Sequence, residues 1–134
     1  MKSLRQIYVV DDSKIFRFTV LKLLIHVGYE GEIKEFENGK TALESIEKNV
    51  GIESKLPDLI LLDINMPVMN GFQLLDAIQN IGEAANKIKV RMLSSSIDLN
   101  DEAKSREYKQ VIGFFTKPLT PEVAKKLIRG DAID

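Results

Sequence analysis

Four β-rich apolar runs punctuate the chain, and each ends on a side chain with chemistry to offer. Ile7-Tyr8-Val9-Val10 runs into Asp11-Asp12, and Leu59-Ile60-Leu61-Leu62 stops at Asp63. Residues 88–93 end at Ser94-Ser95-Ser96, and residues 111–116 end at Lys117-Pro118. Short runs of this kind, bounded by turn signals, predict strands buried on both faces. Residues 32–36 read as a weaker additional strand. Between the strands the apolar spacing becomes helical. A helix is expected over residues 14–27, capped by Asp12 or Ser13 and stopped by Gly28. Its Phe16, Val20, Leu23, Leu24 and Val27 share a stripe that should face the sheet. After an Asn38-Gly39 turn, a helix over residues 40–48 should bury Ala42, Leu43 and Ile46. Residues 50–56 read as a connecting loop. Pro67 and Gly71 mark the loop after Asp63, and Phe72, Leu74, Leu75, Ala77, Ile78 and Ile81 predict a third helix. Asp98 or Asn100 opens a fourth, very polar helix through about Tyr108. Pro121 suits the first turn of a last helix carrying Val123, Ala124, Leu127 and Ile128.

Five strands alternating with five helices predict an α/β fold. Its parallel βαβ units have right-handed crossovers and helices on both faces of the sheet. All strand carboxyl ends then lie on one edge, where open parallel sheets bind their ligands. That edge collects Asp11, Asp12, Asp63, Ser94 and Lys117. One helix carries more apolar surface than this architecture needs. Phe18, Leu21 and Ile25 form a second stripe on the first helix, nearly opposite the first at 100° per residue. Scattered exposed apolar residues or a broader buried face would account for it, and so would a docking face for a partner.

Composition narrows the field. The 134 residues suit one domain, and 44% apolar content supplies a core. A net charge of −1 gives no basic excess for nucleic acid and no polybasic segment for an anionic membrane. The chain has no Cys, which excludes disulfides and thiolate metal sites and is compatible with a reducing cytoplasm. No run is long enough to span a bilayer, and the acids of the N-terminal segment come too early for a signal peptide.

Each edge residue alone has a plain structural reading. Asp63 could cap a turn, Asp11-Asp12 could cap a helix, Ser94 could bond local backbone, and Lys117 could be a counter-ion. Together they suggest more. Three neighbouring carboxylates repel one another, and a hard divalent cation such as Mg²⁺ relieves that repulsion with oxygen ligands. A lysine, a hydroxyl and a Mg²⁺ form a receptor for a tetrahedral oxyanion. A carboxylate at its centre can attack phosphorus to give an aspartyl-phosphate.

The motifs VVDDS, LLDINMPVMNG, MLSSS and FFTKP, in this order at strand ends, resemble the receiver domain of two-component response regulators. The resemblance runs from Ile7 through the last helix. It implies a flavodoxin-like (βα)5 fold, strand order 2-1-3-4-5, forming one receiver domain over residues 1–134 with no output domain. It also implies that Asp63 is phosphorylated. Asp11, Asp12, Asp63 and the backbone carbonyl of Asn65 would hold Mg²⁺. Ser94, where the family more often has Thr, would bond the phosphoryl group, and Lys117 would pair with it. Phe114 sits at the family's aromatic switch position, although it also reads as ordinary core. The phosphodonor would be a histidine kinase or histidine phosphotransfer protein, docking on Phe18, Leu21 and Ile25. Output would pass to a protein target through the fourth helix, fifth strand and fifth helix. Such a chain catalyses only its own phosphoryl transfer and dephosphorylation, in the cytoplasm, without nucleic acid or membrane insertion. An aspartyl phosphohydrolase of the haloacid-dehalogenase type is the rival, but it needs a second Asp where this chain has Asn65. The absence of a G-x-x-x-x-G-K-[ST] motif excludes a P-loop switch.

Overall fold

A computed structural model describes residues 4–96 and 98–128. Strand β1 (Gln6–Val10) leads to helix α1 (Lys14–His26), then β2 (Glu32–Phe36) and α2 (Gly39–Asn49). Strand β3 (Leu59–Asp63) precedes α3 (Gly71–Ile81), and β4 (Lys89–Ser94) precedes α4 (Leu99–Ser105). Strand β5 (Val111–Thr116) and α5 (Pro121–Ile128) complete the series. The five strands form one sheet in the order β2-β1-β3-β4-β5, with every pairing parallel.

The alternation of side chains along the strands divides the core into two layers. Tyr8, Val10, Ile60, Leu62, Val90 and Met92 point to one face, beneath Ala42 and Ile46 of α2 and Leu74, Leu75 and Ile78 of α3. Ile7, Val9, Leu59, Leu61 and Leu93 point to the other, beneath Val20 and Leu24 of α1 and Leu127 of α5. Strands β1 and β3 are buried along their whole length because helices cover both faces. Each fully buried Leu or Ile there contributes roughly 2 kcal/mol of transfer free energy. Arg91 is the largest of the fully buried side chains; it sits in β4 with its guanidinium 5.8 Å over the Phe115 ring.

Local signals explain most of the helix ends. Ser13 caps α1 by accepting from the Phe16 N–H at 3.1 Å, and Gly28, at φ 98°, follows its last turn. Asp98 caps α4 through the N–H groups of Asn100 and Asp101. Some boundaries differ from expectation. Asn38-Gly39 is not a free turn: Asn38 caps α2 by accepting from Thr41, and Gly39 is the first helical residue. Helix α4 ends at Ser105, not near Tyr108. Tyr108 is drawn into the core, where its ring stacks on Phe72 and its hydroxyl donates to Asp76 at 2.8 Å. The Ser105 hydroxyl meanwhile donates to the Glu102 carbonyl at 2.7 Å. Single helical turns at Glu53–Lys55 and Glu83–Asn86 interrupt segments too short for periodicity to reveal.

Candidate functional site

The parallel sheet brings its carboxyl ends together, and the acids converge there. One carboxylate oxygen from each of Asp11, Asp12 and Asp63 lies within 4.8 Å of the others. Asp11 is 1% exposed and Asp63 is 6% exposed, whereas Asp12 is open to solvent. The geometry follows from register. Val10 of β1 pairs with Leu62 of β3, so Asp11, just past β1, and Asp63, the last residue of β3, emerge side by side.

Lys117 closes the cluster from the end of β5. Its Nζ donates to Asp11 Oδ2 at 2.6 Å and to Asp63 Oδ1 at 3.4 Å. On its other side the ammonium lies 4.1 Å from the centroid of the Phe16 ring. The Lys117 backbone N–H bonds the Ser94 carbonyl at 2.8 Å, which ties the ends of β4 and β5 together. The Lys117–Pro118 peptide is cis. Asp11 is fixed from several directions: the Ser13 N–H donates to its Oδ1 at 2.8 Å, and Arg17 Nη1 donates to its carbonyl at 2.6 Å. Arg17 is in turn held by Glu35 of β2 at 3.1 Å.

The electrostatics are those of crowded acids. Burial first, and then the charge of Asp11, push the Asp63 carboxyl up to about 6, against the opposing pull of Lys117. One lysine therefore does not neutralise the site. Oxygen-only donors with excess negative charge fit a hard divalent cation, whose charge would relieve the remaining repulsion.

The other expected residues are placed less uniformly. Ser94 is the last residue of β4, is 2% exposed, and follows Leu93, the register partner of Asp63. Its hydroxyl donates to the Ser96 carbonyl at 2.8 Å and accepts from the Ser96 N–H, so it is engaged in its own turn. Asn65 is exposed in the loop after β3. Phe114 is half-buried, packs against the α3-side core layer, and lines a cleft of about 350 Å³ with Glu102, Ser105 and Arg106 of the α4 region. On α1, Phe18 is 56% exposed and Ile25 is 58% exposed, whereas Leu21 is only half-exposed. Ile15, 80% exposed in the first turn of α1, extends this apolar face toward the acids and was not among the expected docking residues. The signal was present in its spacing, three residues before Phe18.

Two further site features were not legible. Phe16 belongs to the sheet-facing stripe, and nothing in periodicity marks its contact with Lys117. Val68, in the loop after Asp63, holds a positive φ of 69° and is 73% exposed. Such backbone is unfavourable for a β-branched residue, and sequence spacing does not reveal it.

Comparison with known proteins agrees with this fold. Residues 7–129 match the family model described as "Response regulator receiver domain". A protein-glutamate methylesterase/protein-glutamine glutaminase of Desulfotalea psychrophila is 40% identical over 95 residues. That match covers 71% of this chain but 24% of the relative, so the chain spans about a quarter of that protein's length. A two-component response regulator from Cytophaga hutchinsonii superposes with a TM-score of 0.85 at 28% identity, covering 94% of this chain and 95% of that one. The Mn²⁺-bound form of response regulator Rcp1 superposes with a TM-score of 0.74 at 27% identity, covering 94% and 90%.

Proposed function

The chain belongs to the response regulator receiver family, and on that premise we propose that Asp63 is its phosphoacceptor. The family takes a phosphoryl group on an aspartate in two-component signal transduction, and its receiver domains interact with histidine kinases and downstream targets. The observation that carries the assignment is the burial of Asp63 at the end of β3, against Asp11 and Lys117.

The chemistry follows from the side chains. A phosphohistidine of a kinase or phosphotransfer protein meets Asp63 in line. A bond forms between phosphorus and a carboxylate oxygen of Asp63 as the phosphorus–nitrogen bond breaks, and the leaving imidazole takes up a proton. Lys117, already on the acids, balances charge on the equatorial oxygens; such catalysis is positioning and electrostatics. Asp11, Asp12, Asp63 and the Asn65 carbonyl would hold Mg²⁺, which supplies charge neutralisation when bound; the Mn²⁺-bound Rcp1 supports an ion of this kind. Ser94 leaves its bond with Ser96 to reach the phosphoryl group, and Phe114 rearranges against the cleft beside α4. The surface of α4, β5 and α5 thereby shifts between two conformations that a target protein distinguishes. Water later attacks phosphorus, breaks the bond to Asp63 and releases phosphate. The chain's catalysis is confined to these steps on itself.

The phosphodonor docks on the apolar face of α1 formed by Phe18, Leu21 and Ile25, beside the acids. Cytoplasmic residence is part of the same reading. It is compatible with the absence of Cys and with the fact that no described helix is long and apolar enough to cross a membrane. The assignment of Asp63 is tested by Asp63→Asn, which should remain folded but gain no phosphoryl group from acetyl phosphate with Mg²⁺. Uptake by that variant would assign the phosphoryl group to another residue.

A further inference from the structure

We infer that Phe16 is a positioning residue for the phosphoryl transfer, holding the Lys117 ammonium on the acid cluster through its ring face. The inference rests on the phosphoacceptor reading above and adds a residue to it. The Lys117 Nζ has three neighbours of note: Asp11 Oδ2 at 2.6 Å, Asp63 Oδ1 at 3.4 Å and the Phe16 centroid at 4.1 Å. That last distance is well inside the range in which a cation is attracted to an aromatic face. The Lys117 side chain is only 17% exposed, so water screens the contact weakly.

The placement of the ring is built in. Phe16 packs against the core layer under α1 and α5. Its N–H donates to the Ser13 hydroxyl in the cap of α1, and the Ser13 N–H donates to Asp11. Asp11 in turn accepts from Lys117. Ring, cap, acid and ammonium thus form a closed circuit of contacts, in which the Phe16 backbone sits on the same cap that holds Asp11.

The physical reason for an aromatic residue here lies in competition for the carboxylates. Lysine carries its charge on a flexible four-carbon stem and loses rotamer entropy when fixed. Any cation bound by Asp11 and Asp63 neutralises the two groups that hold Lys117 in this structure. The ring face is not a ligand for a hard cation, so its attraction for the ammonium persists. A leucine would fill similar space without a quadrupole, whereas tyrosine would keep the face.

The test compares Phe16→Leu and Phe16→Tyr in the full chain, with acetyl phosphate and Mg²⁺, following the rate of phosphoryl gain by intact mass. Phe16→Leu should slow uptake about three- to tenfold, while Phe16→Tyr should stay within about twofold of the parent. Proton NMR supplies a readout that simple packing would not move. The Lys117 Cε protons of the unaltered chain should be shifted upfield by the ring current, kept so in Phe16→Tyr and returned to ordinary lysine values in Phe16→Leu. Equal rates for Phe16→Leu and the parent would overturn the proposal, as would a Tyr variant as slow as the Leu variant. Absence of the upfield shift in the unaltered chain would overturn it even if Phe16→Leu did not fold. Failure of the unaltered chain to take up phosphate would instead overturn the phosphoacceptor reading, with the NMR shift still deciding the Phe16–Lys117 contact.

Discussion

Asp63 carries an electrostatic strain that bears directly on the proposed function. Its native carboxyl is raised to about 6, while the unfolded chain loses that proton near the ordinary value of 3.8. Between those values the native state binds more protons than the unfolded state, so stability falls as pH rises through the window. In chelator, Asp63→Asn should therefore stabilise the fold at pH 7.5, by about 3 kcal/mol for the whole shift. The gain should shrink toward zero below about pH 4, as the acid becomes protonated in both states. Paired thermal melts at the two pH values check this, and a gain that is the same at both would contradict it. Val68 is strained differently, in its backbone. Because Asn tolerates the left-handed region that Val resists, Val68→Asn should raise stability by about 1 kcal/mol, visible as a higher denaturation midpoint.

At the scale of elements, α3 and α1 matter most to the site. The N-terminus of α3 is pressed onto the residue that precedes it in function. A Cβ on Gly71 would meet the Asp63 carbonyl oxygen at 2.7 Å and the Ile64 Cα at 3.2 Å, both backbone atoms with little freedom to yield. Gly71→Ala should thus cost about 1–3 kcal/mol and displace Asp63, lowering both the denaturation midpoint and phosphoryl uptake. Helix α1 presents Phe18 and Ile25 to solvent, and these report on docking more cleanly than half-buried Leu21. Phe18→Asp or Ile25→Asp should slow transfer from a phosphohistidine protein by about tenfold, equivalent to 1.4 kcal/mol, and leave transfer from acetyl phosphate unchanged. Equal slowing with both donors would mean that the substitution damages the fold and not a docking face.

At the scale of the whole molecule, much was legible because strand ends carry it. Apolar runs stopping at Asp11, Asp63, Ser94 and Lys117 are local signals, and the parallel topology they imply gathers those residues on one edge without further information. What the pattern could not show depends on contacts between distant segments. Tyr108 leaves α4 because Asp76 and Phe72, on another helix, offer it a buried bond and a stacking partner. Phe16 reads as core from its spacing and packs, partly buried, against the core, yet one face of its ring meets Lys117 from the far end of the chain. Val68 shows its strain only in backbone angles. Ser94 is at its expected position, but the bond it makes with Ser96 is set by turn geometry.

On the proposed function, the acid edge becomes a phosphoryl acceptor when a divalent cation joins it. Intact mass of the unaltered chain after incubation with acetyl phosphate, with Mg²⁺ and with chelator, tests this most directly. A gain of one phosphoryl group is expected with Mg²⁺ and none with chelator. Equal gain in both, or no gain with Mg²⁺, would contradict it.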